Sequence, residues 1–74
     1  SFEGSRRQMR GRVVRTLREY DELALSELGP RVRVDYGGEY GEAWLRDLLS
    51  DLADDGLVET AENGAGETLA RLRR

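Results

Sequence analysis

Half of the basic residues in this 74-residue chain fall in one short stretch: Arg6, Arg7, Arg10, Arg12, Arg15 and Arg18. A guanidinium keeps its charge at any physiological pH and presents a fork of N–H donors that matches the oxygens of phosphate and carboxylate. Arginine at this density is suited to gripping an anion, either a nucleic-acid backbone or an acidic protein surface. The chain contains no Cys and no His. Thiolate chemistry, disulfides, cysteine-ligated clusters and imidazole proton transfer are thereby excluded within it. Its 15 acidic residues are dispersed among 12 basic ones, all arginine, in the manner of a solvated surface. The expectation is a binding domain that is not an enzyme, with no catalytic, cofactor-binding or metal residues.

The arginine stretch lies on a predicted helix. Ser5-Arg6-Arg7-Gln8 has the form of a capping box, with Ser5 as N-cap and Gln8 reaching back. Met9, Val13, Leu17 and Tyr20 then recur at helical spacing as one buried stripe over about Arg6 to Glu19 or Tyr20. Gly11 falls on the outer face, bordered by Arg7, Arg15 and Arg18. A glycine inside a helix costs about 1 kcal/mol relative to alanine, so close approach by another backbone is one reason to keep it. The expected contact residues are Arg6, Arg7, Arg10, Gly11, Arg12, Arg15 and Arg18.

Leu23-Ala24-Leu25 reads as a short apolar strand. Residues 26–36 admit three readings: a helix capped by Ser26 that carries Leu28 and Val32, a helix starting at Gly29 and Pro30, or a strand in which Val32, Val34 and Tyr36 alternate with charged residues. Gly37-Gly38-Glu39-Tyr40-Gly41 reads as a loop. Leu45, Leu48, Leu49 and Leu52 then mark an amphipathic helix from about Glu42 to Asp55, with Gly56 placed as a left-handed C-terminal cap. Leu57–Ala61 and Thr68–Leu72 flank Asn63-Gly64, the pattern of a hairpin whose glycines supply positive φ. Leu57, Leu69 and Leu72 are expected to lie on the helices, and Trp44, Tyr36 and Tyr40 to pack.

This order predicts an α+β fold: a winged helix-turn-helix of three helices plus a C-terminal β-hairpin wing, filling residues 1–74 as one domain. A chain of this length buries only about 60% of its unfolded surface, which leaves little room for a deep substrate cavity. In most such folds the third helix reads the major groove. Here the face opposite its leucines carries Ala43, Asp47, Ser50, Asp51 and Asp54, with only Arg46 as a nearby cation. Phosphates repel that face.

Two segments resemble a known family. Phe2, Gly4, Ser5, Arg7, Arg10, Gly11 and Arg12 fill, in register, the pattern Phe-x-Gly-Ser/Thr-x-Arg-x-x-Arg-Gly-Arg. That pattern is similar to a segment beyond the catalytic domain of A/G-specific adenine DNA glycosylases. Asp55-Gly56-Leu57-Val58-Glu59 resembles the start of the wing in actinobacterial and archaeal versions. The resemblance implies an accessory domain of a base-excision-repair enzyme that removes adenine mispaired with oxidised guanine. Its catalytic acids and iron–sulfur cluster would lie upstream, so no cofactor is expected in this chain. The implied partners are duplex DNA, through its phosphates, and the parent's catalytic domain. A winged-helix transcriptional regulator and a protein–protein interaction module are the other two readings.

The absence of an initiator Met suggests a domain excised from a larger protein. No apolar run approaches the roughly 18 residues of a membrane span and no signal-peptide pattern is present, so a cytoplasmic, monomeric domain is expected. A net charge of −3 and exclusive use of arginine suit a GC-rich genome or a salt-loving organism, since salt screens the self-repulsion of an acidic surface. The salt-adapted reading predicts a melting temperature that climbs steeply as KCl is raised to molar levels; a flat response would remove it.

Overall fold

A computed structural model describes residues 5–74. The chain runs α1 (Arg6–Glu19), β1 (Leu23–Ala24), α2 (Leu25–Val32), α3 (Gly38–Asp54), β2 (Val58–Glu62) and β3 (Thr68–Leu72). Three helices pack on a three-stranded antiparallel sheet of order β1-β3-β2, an α+β fold. No helix among the described residues is long and apolar enough to cross a membrane.

The first helix starts where its capping box places it. The Gln8 N–H donates to Ser5 Oγ at 3.2 Å, and the Ser5 N–H donates to Gln8 Oε1 at 3.0 Å. Met9, Val13 and Leu17 are buried along one side. Tyr20, expected to continue that stripe, is instead the C-cap and is exposed. The helix ends before a fourth stripe position can form, and the Arg31 guanidinium covers the Tyr20 ring at 5.1 Å.

The segment that admitted three readings is a short helix. Its N-cap is Ala24, not Ser26 or Gly29; the Glu27 carboxylate reaches back to accept the Ala24 N–H at 3.2 Å, the half of a capping box that the N3 residue supplies. Pro30 sits inside the helix, where its missing N–H forgoes one bond, and the helix closes two residues later. Val34 is 93% exposed, so the strand alternation is not used.

The third helix begins earlier than the glycine-rich loop allowed. It starts at Gly38, and the Gly41 N–H donates to the Gly37 carbonyl at 3.1 Å to close the first turn. Tertiary contact overrides weak helix propensity here. The Tyr36 ring lies between two helices: a Cβ built on Gly29 of α2 would meet it at 2.3 Å, and one on Gly41 of α3 at 3.3 Å. Tyr40, expected to pack, is 93% exposed on the outside of the same turn.

Leu45, Leu48, Leu49 and Leu52 bury the inner face of α3 against Met9, Val13, Leu17, Leu28 and Val32, with Val58 and Ala70 closing the core from the sheet. The helix ends in the expected glycine cap. Gly56 has φ 76°, its N–H donates to Ala53, and the Leu57 N–H reaches back to the Leu52 carbonyl at 2.9 Å. That turn places Leu57 outside, 44% exposed, and turns Val58 inward. The expected inward Leu57 is thus corrected by one residue, which reverses the face in a strand. Leu72 still packs against the core in part, and Ala70 opposite Thr60 is fully buried.

The hairpin turn also differs in detail. Asn63 Oδ1 accepts the N–H groups of Ala65 and Glu67, both at 2.9 Å, and the glycine with positive φ is Gly66, not Gly64.

Gly29 is the position with least tolerance for a side chain. Gly29→Ala is expected to cost about 1–3 kcal/mol by forcing the Tyr36 ring out of its slot. Urea unfolding checks this; an unchanged midpoint would mean that the ring moves aside freely.

Candidate contact face

The six clustered arginines and Gly11 lie on α1, but packing divides them. Arg6 turns toward α3, with Nη2 2.6 Å from Asp51 and 3.0 Å from Asp47. Its hydrogen bond to Asp51 pushes the guanidinium pKa still higher. Arg10 pairs with Asp55 at the end of α3. Arg12 donates to the Val32 carbonyl at 3.3 Å, helping to satisfy the C-terminus of α2. These three guanidiniums join α1 to its neighbours.

Arg7, Arg15 and Arg18 are different. All three are exposed, and among the described residues none makes a hydrogen bond or ion pair. Gly11 stands among them, and a Cβ built there would meet nothing within 4 Å. Phe2 and Gly4, the first two positions of the family-like pattern, lie outside the described residues. Two open grooves flank the α1 ridge, each about 330 Å³, and Arg15 borders both. One has Val14 and Leu57 in its walls; the other has Pro30 and Val34. Among the described residues neither is lined by a carboxylate.

A separate part of the surface has the reverse character. A wider cleft of about 530 Å³ opens between the starts of α2 and α3 and the hairpin turn, with Glu39, Glu42 and Glu67 in its lining. Arg46, the one cation expected near the outer face of α3, lines this cleft and is held by Glu42 at 2.8 Å. Tyr36 lines the cleft, its phenol pKa pushed up by burial and then by Glu42, with Arg46 opposing. Helices that read bases use their N-terminal residues to do so, and here that end of α3 is acidic.

Two other arginines serve aromatic rings. Arg33 lies 4.7 Å from the centroid of Trp44 and also chelates Asp35 through two 2.9 Å bonds, which hold the Asp35 carboxyl below its usual range. Trp44 is partly buried against the core, as its place at the edge of the leucine stripe implied. Among the described residues no group of three or more carboxylates is gathered in a way that could hold a metal ion.

Sequence reasoning treated the arginine helix as one uniform contact surface. Its division arises because Asp47, Asp51 and Asp55 are remote from α1 in sequence and meet it only after folding. The apolar part of the face, Leu57 above all, was also missed, because its outward direction is set by the turn at Gly56.

No protein-family model matches the chain, and comparison with curated proteins and with solved structures gives no match either.

The α1–α3 ion pairs are solvent-exposed, with Arg6 at 43% and Asp47 at 71% side-chain exposure, so their contribution to stability is small. The double substitution Asp47→Asn, Asp51→Asn is expected to lower unfolding stability by less than about 1 kcal/mol and to release Arg6. A loss of several kcal/mol in urea titration would show that these pairs, and not the leucine core, hold the helices together.

Proposed function

We propose that this chain is a non-catalytic winged helix-turn-helix domain that works by attachment through the outer face of α1, not by reading DNA with α3. The observation that carries this is the segregation of charge. The helix in the reading position is acidic from Glu39 to Asp54, and two of its carboxylates are bound to Arg6. The exposed guanidiniums of Arg15 and Arg18 instead border a groove lined by Gly11 and apolar side chains, and Arg7 is exposed on the same helix. Element order and the sheet order β1-β3-β2 support the winged-helix assignment, with the β2–β3 hairpin as the wing.

The resemblance of Ser5, Arg7, Arg10, Gly11 and Arg12 to the adenine glycosylase pattern names the parent: a base-excision-repair enzyme acting on adenine opposite oxidised guanine. The partner of the α1 face is then the parent's catalytic domain. Apolar walls favour a protein partner, since a phosphate backbone offers nothing to bury against Val14 or Leu57.

A second reading has Arg7, Arg15 and Arg18 holding DNA phosphates. Their lack of a partner among the described residues supports it. Titration of the chain with a short duplex carrying an adenine–oxidised-guanine mismatch, at about 0.15 M salt and followed by NMR, separates the cases. Attachment to protein predicts no saturable shifts. Saturable shifts confined to Arg7, Arg15 and Arg18 would replace it with phosphate contact. Shifts on Asp47, Ser50, Asp51 and Asp54 would make α3 a groove reader and overturn both.

A further inference from the structure

The attachment face has a shape that specifies its partner. Between α1 and the α3–β2 junction lies a groove of about 330 Å³ whose apolar walls are Val14, Leu52 and Leu57 and whose polar rim is Arg10, Arg15 and Arg18. Gly11 also lines it, and among the described residues no atom beyond its chain neighbours and its own helix backbone lies within 4 Å of where its Cβ would stand. Leu57 is one of four large exposed apolar side chains among the described residues. It is also directed outward by the backbone, through the Gly56 turn and the Leu57 N–H bond to the Leu52 carbonyl. A helix this arginine-rich gains nothing internally from Gly11, since alanine there would clash with nothing and would add about 1 kcal/mol of helix stability.

Resting on the attachment reading, we propose that this groove docks an acidic, amphipathic helical segment of a protein partner, one leucine-sized side chain entering beside Val14 and Leu57. The missing side chain at Gly11 lets the partner's backbone come close, while its carboxylates meet Arg15 and Arg18. Charge complementarity fixes the class. Arg15 and Arg18 are exposed and without a carboxylate among the described residues, and Arg10, already paired with Asp55, is partly neutralised. A basic segment would face at least two unopposed guanidiniums, and a purely apolar one would leave them without counter-charge.

The test uses two synthetic helical peptides with the same leucine positions, one carrying glutamates on its polar face and the other lysines. Binding to the 74-residue chain is followed by NMR and by the peptides' dissociation constants. The glutamate peptide is expected to shift Gly11, Val14 and Leu57, to bind at least about tenfold more tightly than the lysine peptide, and to weaken as salt is raised. Gly11→Leu fills the groove with a better helix former, so it is expected to raise the melting temperature by roughly 4–8 °C while abolishing those shifts. Arg15→Glu with Arg18→Glu is expected to reverse the preference toward lysine.

Equal affinity for both peptides, or glutamate-peptide binding that survives Gly11→Leu, would overturn the acidic-segment groove and leave attachment through α1 standing. No binding by either peptide would overturn the groove as well, and the duplex titration then decides the wider reading independently. Shifts that map to the outer face of α3 would overturn both.

Discussion

The rotation of α3 about its own axis is the constraint on which this structure depends. Its four leucines lie on one side, and burying Leu45, Leu48, Leu49 and Leu52 together admits a single rotation. Each large side chain buried this way is worth about 1.5–3 kcal/mol, far above any exposed ion pair. Once the leucines are in, every other position on α3 has its direction assigned. Asp47 and Asp51 arrive within reach of Arg6, Trp44 reaches the edge of the core beneath Arg33, and Glu39 and Glu42 face the hairpin turn.

Ion pairs follow from that packing and do not direct it, yet they determine what the surface can do. Arg6 and Arg10 are drawn to the carboxylates at the flank and end of α3, and Arg12 to the carbonyl that ends α2. The arginine helix therefore has an inner set that stitches helices and an outer set left for other anions. A domain with net charge −3 in this way acquires a basic groove distinct from an acidic cleft, without any excess of basic residues. Such separation steers partners by orientation more than by net charge.

Tyr36 contributes a second organising contact. Its ring occupies a slot between α2 and α3 that exists only because residues 29 and 41 lack side chains. Five residues connect those helices, and the third helix gains its first turn from residues whose own propensities disfavour one. The two bulky neighbours Val34 and Tyr40 are forced outward on either side. An exposed valine beside one arginine-lined groove and an exposed leucine beside the other flank α1 with apolar surface.

The sequence by itself determined whatever depends on neighbours close along the chain. The capping box at Ser5 and Gln8, the helical spacing of Met9, Val13 and Leu17, the leucine stripe of α3 and the glycine cap at Gly56 are all local patterns with local physical causes. So is the acidic character of α3's outer face, which needs only the leucines to define the opposite side. Tertiary structure decided the rest. Pro30 and Ser26 suggested other boundaries for α2, but Glu27 capping Ala24 and the burial of Leu25, Leu28 and Val32 prevailed. The glycines before Tyr40 read as loop until Tyr36 packed on Gly41. Leu57 and Val58 exchanged faces because one turn set the strand's phase, and alternation carries no phase of its own. The candidate face was legible as residues but not as geometry, since which arginines remain available is settled by carboxylates more than thirty positions away, and contacts at that separation form only when the core brings the helices together.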